Sequence, residues 1–133
     1  MITYAKLNQP RNEDKMEMFL SLSPHIQTFI CCGRTDLRKQ IDGLCAIVEN
    51  EYGLNPFSKS MYLFCGNSCD RLSILYFDGF AFIVMKVRTE EKHFKWPRNE
   101  GELWKISRST LIELLSGNPI PEKRILRVFK RLS

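Results

Sequence analysis

The sequence predicts an α+β domain. It has a small mixed or antiparallel sheet with a central hairpin at about residues 71–88, one long helix at about residues 36–52 packed on it, and short C-terminal helices. Three observations carry this expectation. Apolar residues recur at steps of three and four from Leu37 to Tyr52, the period of one helix face. Two strand-like runs, Leu72–Phe77 and Phe80–Val87, flank Asp78-Gly79. Beyond residue 108, short apolar segments alternate with Gly and Pro breakers.

The elements follow in order. Asn12–Ser23 reads as a short helix with Met16, Phe19 and Leu20 on one side. Ile26–Cys32 is apolar and rich in strand formers, hence a strand. In the long helix, Leu37, Ile41, Leu44, Val48 and Tyr52 form the apolar stripe; Thr35 or Asp36 caps its start, and Gly53 ends it in a left-handed conformation. Asn55-Pro56 makes a turn, and Ser60–Cys65 is a second strand. Asp-Gly between strand-like runs predicts a two-residue loop, because both central residues of that turn need positive φ. That register sets Phe77 opposite Phe80, Leu75 opposite Phe82 and Ile74 opposite Ile83. Both hairpin faces are then largely apolar, which places the hairpin centrally or between two layers. His93–Trp96 is a further candidate strand. Ser109–Ser116 is a short helix with Leu111, Leu114 and Leu115 inward and Gly117 as its stop. Asn118-Pro119-Ile120-Pro121 breaks the chain, and Glu122–Leu132 reads as a basic amphipathic helix with Ile125, Phe129 and Leu132 aligned. This divides the chain into an N-terminal extension (1–24), a single α+β domain (25–117) and a basic C-terminal helix (118–133).

Composition narrows the class. The 133 residues are 44% hydrophobic and 26% charged, as in an ordinary globule. No apolar run approaches the ~20 residues of a membrane span, and Met1–Pro10 lacks a signal-peptide core. Five cysteines, an odd number, without a secretory context fit reduced thiols in a cytoplasm. The net charge of +5 is uneven: Glu122–Ser133 holds five basic residues and one acid, and the rest holds 15 basic and 14 acidic residues. The basic pull is therefore largely a property of the tail.

Between Gly33 and Pro97 an ordered series of short motifs appears: Gly33-Arg34-Thr35-Asp36-Leu37-Arg38-Lys39, Ile41-Asp42-Gly43-Leu44, Gly53-Leu54-Asn55-Pro56-Phe57, Leu75-Tyr76-Phe77-Asp78-Gly79 and Phe94-Lys95-Trp96-Pro97. In order and spacing the series resembles the small accessory protein of the IS-sixty-six (IS66) family of bacterial insertion sequences, the Orf-two-like or TnpB-like product encoded beside a separate transposase. The chain departs from the family pattern at Asn67 and Ser68, where that family carries basic residues, at Val87-Arg88-Thr89-Glu90, and at Ala81. The resemblance implies a non-catalytic role in DNA transposition, with transposon DNA, the transposase or both as partners. It supplies no catalytic motif and no cofactor.

Residue chemistry offers two anion seats. Arg34, Arg38 and Lys39 cluster at the expected start of the long helix, where exposed N–H groups favour a phosphate; alternatively Asp36 pairs with them and they are merely solvated. The hairpin register sets Arg71 opposite Lys86, with Arg88 two residues further along the same face. Like charges directly across a strand pair are destabilising, so Asp70, Glu90 or a bound phosphate must offset them. Contacts to DNA here would be to the backbone and would give affinity rather than sequence choice. The tail cations Lys123, Arg124, Arg127, Lys130 and Arg131 lie on a nucleic-acid backbone, dock a partner, or face outward while Ile125 and Phe129 pack on the body.

Other constellations are weaker. Cys65 and Cys69 have zinc-like spacing, but adjacent Cys31 and Cys32 point to opposite faces of a strand and make a poor second half. His25 and His93 sit in no nucleophile or metal motif. Trp96 and Trp104 are candidates for base stacking, with core or rim anchoring preferred. Asp78 with Glu90-Glu91-Lys92 has the composition of a metal-dependent nuclease site, but Asp78 is already explained by the turn. The competing functional classes are thus a DNA-binding accessory factor, a protein–protein adaptor with no direct DNA contact, and, least supported, a nuclease.

Overall fold

The computed structural model describes residues 2–6, 26–121 and 125–129. Seven strands, β1 (Ile2–Lys6), β2 (Gln27–Cys31), β3 (Ser60–Cys65), β4 (Arg71–Phe77), β5 (Phe82–Arg88), β6 (Leu103–Ile106) and β7 (Leu126–Phe129), form one sheet in the order β1-β5-β4-β3-β2-β6-β7. The sheet is mixed. β1 runs parallel to β5 and β2 parallel to β3, and the other neighbours are antiparallel. A parallel pair needs a crossover. Between β2 and β3 that crossover is helix α1 (Ile41–Ala46), which widens into a π-helical segment, Ile47–Glu51. Helix α2 (Arg108–Leu115) follows β6.

The sheet is covered on both faces, which explains the unbroken burial of β3. Tyr62 and Phe64 point one way, onto Leu44, Val48 and Tyr52 of the α1 layer. Met61, Leu63 and Cys65 point the other way, into a cluster with Trp96, Trp104, Leu111 and Leu114. Cys31 and Cys32 fall in these two separate clusters, as strand alternation requires.

The expected long helix is overturned. The helical stretch covers only Ile41–Glu51, so the described residues form chiefly a sheet with two short helices. The shortening has a local cause. Asp36 does not cap a helix; its Oδ1 accepts the backbone N–H of Arg38 (3.0 Å), and its carbonyl accepts the N–H of Lys39 (3.1 Å). This Asp-built turn competes with helix over residues 36–39. Gly53 does terminate the stretch, with φ +66.

The C-terminal basic helix is also corrected: Leu126–Phe129 is a strand paired with β6. Hydrogen bonding to the open edge of β6 outweighs the helical spacing read from Ile125, Phe129 and Leu132. His93–Trp96 is buried at Phe94 and Trp96 but is not a strand. β1, β6 and β7 were not foreseen. The Asn12–Ser23 helix lies outside the described residues.

The hairpin forms, with a longer loop than Asp-Gly suggests. Phe77 faces Phe82, Leu75 faces Val84 and Ile74 faces Met85, so Asp78–Ala81 is the loop. Gly79 has φ +102, while Asp78 is not at positive φ and instead accepts the N–H groups of Phe80 and Ala81 on Oδ1, both at 2.8 Å. The register shifts by two residues, and each side chain keeps its face.

Candidate nucleic-acid interface

Strand direction brings the cations together. β2 and β3 are parallel and both end at the same edge of the sheet, and antiparallel β4 starts there with Arg71. β5 returns to that edge and ends on Arg88. The loop leaving β2, residues 33–40, therefore hangs over the β4–β5 ends. Crevices at the carboxyl ends of parallel strands are where open sheets commonly place ligands.

The result is a cleft of about 720 Å³. Arg34, Thr35, Asp36, Leu37, Arg38 and Gln40 form one wall, and Gly66, Asn67, Ser68 and Asp70 the other. Arg71, Lys86 and Arg88 line it from β4 and β5. Five cations thus meet two carboxylates, Asp36 and Asp70. Residues of the two candidate clusters read separately in the sequence line one cleft.

Lys39 is the exception. It does not line the cleft, and its stem lies against the Cα of Gly43, where an added Cβ would sit 3.0 Å from its own Cβ. Arg38 and Lys39 do not stand in the first turn of a helix, because the helix starts only at Ile41, after the Asp36 turn.

The cross-strand charge conflict is real and differs in its members. Arg71 pairs with Arg88, and Lys86 pairs with Ser73. Lys86 Nζ donates to Ser73 Oγ (2.8 Å) and to the Leu37 carbonyl (2.9 Å), which ties β5 to the upper wall. Its third N–H is left for the cleft. Burial lowers the Lys86 pKa. Arg88 pairs with Glu90 at 2.9 Å. Arg38 makes a bidentate bond with Asp36, at 91% side-chain exposure. Such an exposed pair is worth little and yields readily to a ligand. The Arg38 hydrogen bonds hold the Asp36 carboxyl down to about 2. Arg34 Nη1 donates to Asn67 Oδ1 (2.6 Å) across the mouth. Exposed Arg71 makes no ion pair among the described residues.

The Lys86 environment gives a pH dependence. Its folded pKa lies below the unfolded value, so between the two the unfolded chain holds the extra proton and stability rises with pH. The wild-type chain should therefore gain stability relative to Lys86→Met as pH rises toward 10.5. Urea midpoints of the two chains across that window check this; a difference that stays flat or moves the other way contradicts it.

Other candidates fall elsewhere. Arg127 lies on β7 at the far edge, paired with Glu102 (3.3 Å) and set over the Trp104 ring (5.4 Å). Lys123, Arg124, Lys130 and Arg131 lie outside the described residues. Trp96 and Trp104 are buried, and their Nε1 groups donate to the Cys31 carbonyl (3.1 Å) and to Glu102 Oε1 (2.8 Å). Asp78 and Glu90 sit beyond opposite ends of β5, a strand about 23 Å long, so the nuclease pattern is not assembled. All five cysteines are free thiols, and burial pushes those of Cys31, Cys32 and Cys65 up. Among the described residues no helix is long and apolar enough to cross a membrane.

Comparison with known proteins decides the family: the IS66 Orf2 like protein family matches residues 26–124. The chain belongs to the IS66 Orf2-like family. It is thereby a transposition-associated accessory protein. Two relatives are uncharacterized proteins of Sinorhizobium fredii (strain NBRC 101917 / NGR234). y4hO is 31% identical over 93 residues, 70% of this chain and 81% of the relative. y4jC is 31% identical over 62 residues, 47% and 53% respectively. No solved structure matches the chain. The IS66-type motifs sort cleanly in space. Residues 34–38 of the Gly33–Lys39 motif build a cleft wall, and Phe94-Lys95-Trp96-Pro97 supplies the buried anchors Phe94 and Trp96. The signal that the sequence reading missed, Asn67 as partner of Arg34, stands at a point of departure from the family pattern.

Proposed function

We propose that this chain is a non-catalytic, cytoplasmic accessory factor of transposition that holds the phosphate backbone of DNA in the cleft between residues 34–40 and the β4–β5 hairpin. One observation supports this reading above others. Cations far apart in sequence converge on one concavity, and two of them, Arg71 and Arg88, are set directly opposite each other at a cost to the sheet. Glu90 offsets part of that cost through its pair with Arg88, and a polyanion bound over Arg71 offsets more. The tail cations add a sequence-independent grip.

A salt titration tests the reading. Full-length chain and Arg71→Ala are titrated against DNA at two salt concentrations. The slope of log K against log salt should shrink by about one for each phosphate that the variant no longer neutralises. An unchanged slope removes the cleft from the interface. The adaptor reading has an observation of its own: Phe80 is 94% exposed and Phe57 57% exposed, at the opposite end of the sheet from the cleft. A pure adaptor shows no DNA retention at low salt beyond the tail's grip, so the same titration separates the two.

A further inference from the structure

Resting on the cleft being a phosphate site, we infer that it takes the backbone of duplex DNA and does not read bases. Two features lead there.

The first is shape. Reading base edges in the major groove needs a protruding element, such as a helix or a two-stranded ribbon, that enters the groove. Here the cations are recessed. Lys86 and Arg88 sit at strand level, partly buried, and Arg34, Arg38 and Arg71 stand at the rim. A concave site of this kind meets the convex part of a duplex, which is its phosphate ridge.

The second is what lines it. No aromatic ring is among the described residues that line it. Proteins that hold single strands combine a basic groove with rings on which unpaired bases stack, and that stacking supplies much of their affinity. The rings described in other parts of the sheet lie away from the cleft. Phe57, Phe77 and Phe82 pack against one another with centroids 4.8–5.2 Å apart, at the loop end of the hairpin. Trp96 and Trp104 are buried and hydrogen-bonded. A single strand would therefore bring lower charge density and no compensating stack. The duplex, with its denser phosphates, is the better occupant.

The site then contributes affinity without addressing, and any choice of element ends rests with another component.

The experiment uses the full chain and fluorescence anisotropy, with two duplexes of unrelated sequence and equal length and one of their single strands as probes. Arg71→Gln and Lys86→Met are run beside the wild type. The two duplexes should bind within about twofold of each other, since even one good base contact separates them by about fivefold or more. The single strand should bind more weakly than either duplex, with a shallower salt slope. Both variants should weaken duplex binding, and their circular dichroism spectra establish that they fold. A preference of more than about fivefold for one duplex, or tighter binding of the single strand, overturns the inference and leaves the phosphate site standing. Duplex binding that neither variant changes overturns the phosphate site itself, and the inference with it.

Discussion

Arg71→Glu should make the protein more stable and at the same time cost it its DNA. The substitution replaces a like-charged cross-strand pair with an opposite-charged one, the new carboxylate facing Arg88. Cross-strand ion pairs contribute about 0.2–1 kcal/mol, and the repulsion removed is of similar size. The melting temperature should rise by a few degrees. Binding moves the other way. Loss of one charge-assisted bond to phosphate costs about 1.5–3 kcal/mol, more than tenfold in affinity, before the introduced negative charge repels the ligand. Thermal melts and the anisotropy titration on the same preparation check both halves. A variant that melts lower yet binds normally refutes the account of Arg71 as a residue kept for its ligand at the sheet's expense.

Gly33→Ala should destabilise the loop that carries Arg34. Gly33 has φ +81, a region that costs an L-residue about 1–2 kcal/mol. An added Cβ would also displace the Glu100 carboxylate, the end of an exposed side chain. That carboxylate accepts the Arg34 backbone N–H at 3.1 Å, so moving it also loosens the cleft wall. The sum is about 2–3 kcal/mol of stability, with weaker DNA binding through Arg34. Gly53→Ala is the control. Gly53 also has positive φ, +66, but open space around its Cα, so it should lose only the backbone part and leave binding intact. Urea denaturation of the two variants separates clash from strain. Equal losses would mean that the Glu100 contact carries nothing.

The Arg71 pair shows where local sequence signals stop short. Asp78-Gly79 announced a hairpin and the alternation announced which residues share a face, so Arg71, Lys86 and Arg88 were legible as a cluster. The loop length was not. It depends on whether Asp78 enters positive φ or caps the turn with its carboxylate. The side-chain bonds to Phe80 and Ala81 decided for the second, and the partner of Arg71 became Arg88. The helix start failed for a related reason. Leu37 keeps the helical period, but Asp36 offers the backbone a turn, and that turn releases Arg34 and Arg38 to form a wall. The strand at Leu126–Phe129 was masked by a coincidence of spacing, since four residues of a short edge strand also fit a helix face.

By itself, the order of residues determined the short-range facts: which segments are apolar, which turns need Asp or Gly, that the basic residues form separate local groups, and which family the motif series belongs to. The first three follow from nearest-neighbour sterics and from periods of two and 3.6, and need no partner segment; the family rests on the resemblance of the motif series. That residues 34–38 and 71–88 enclose a single concavity was decided by the parallel pairing of β2 with β3. Strand direction is fixed by which distant surfaces bury each other, a sum over the whole core that no local window contains.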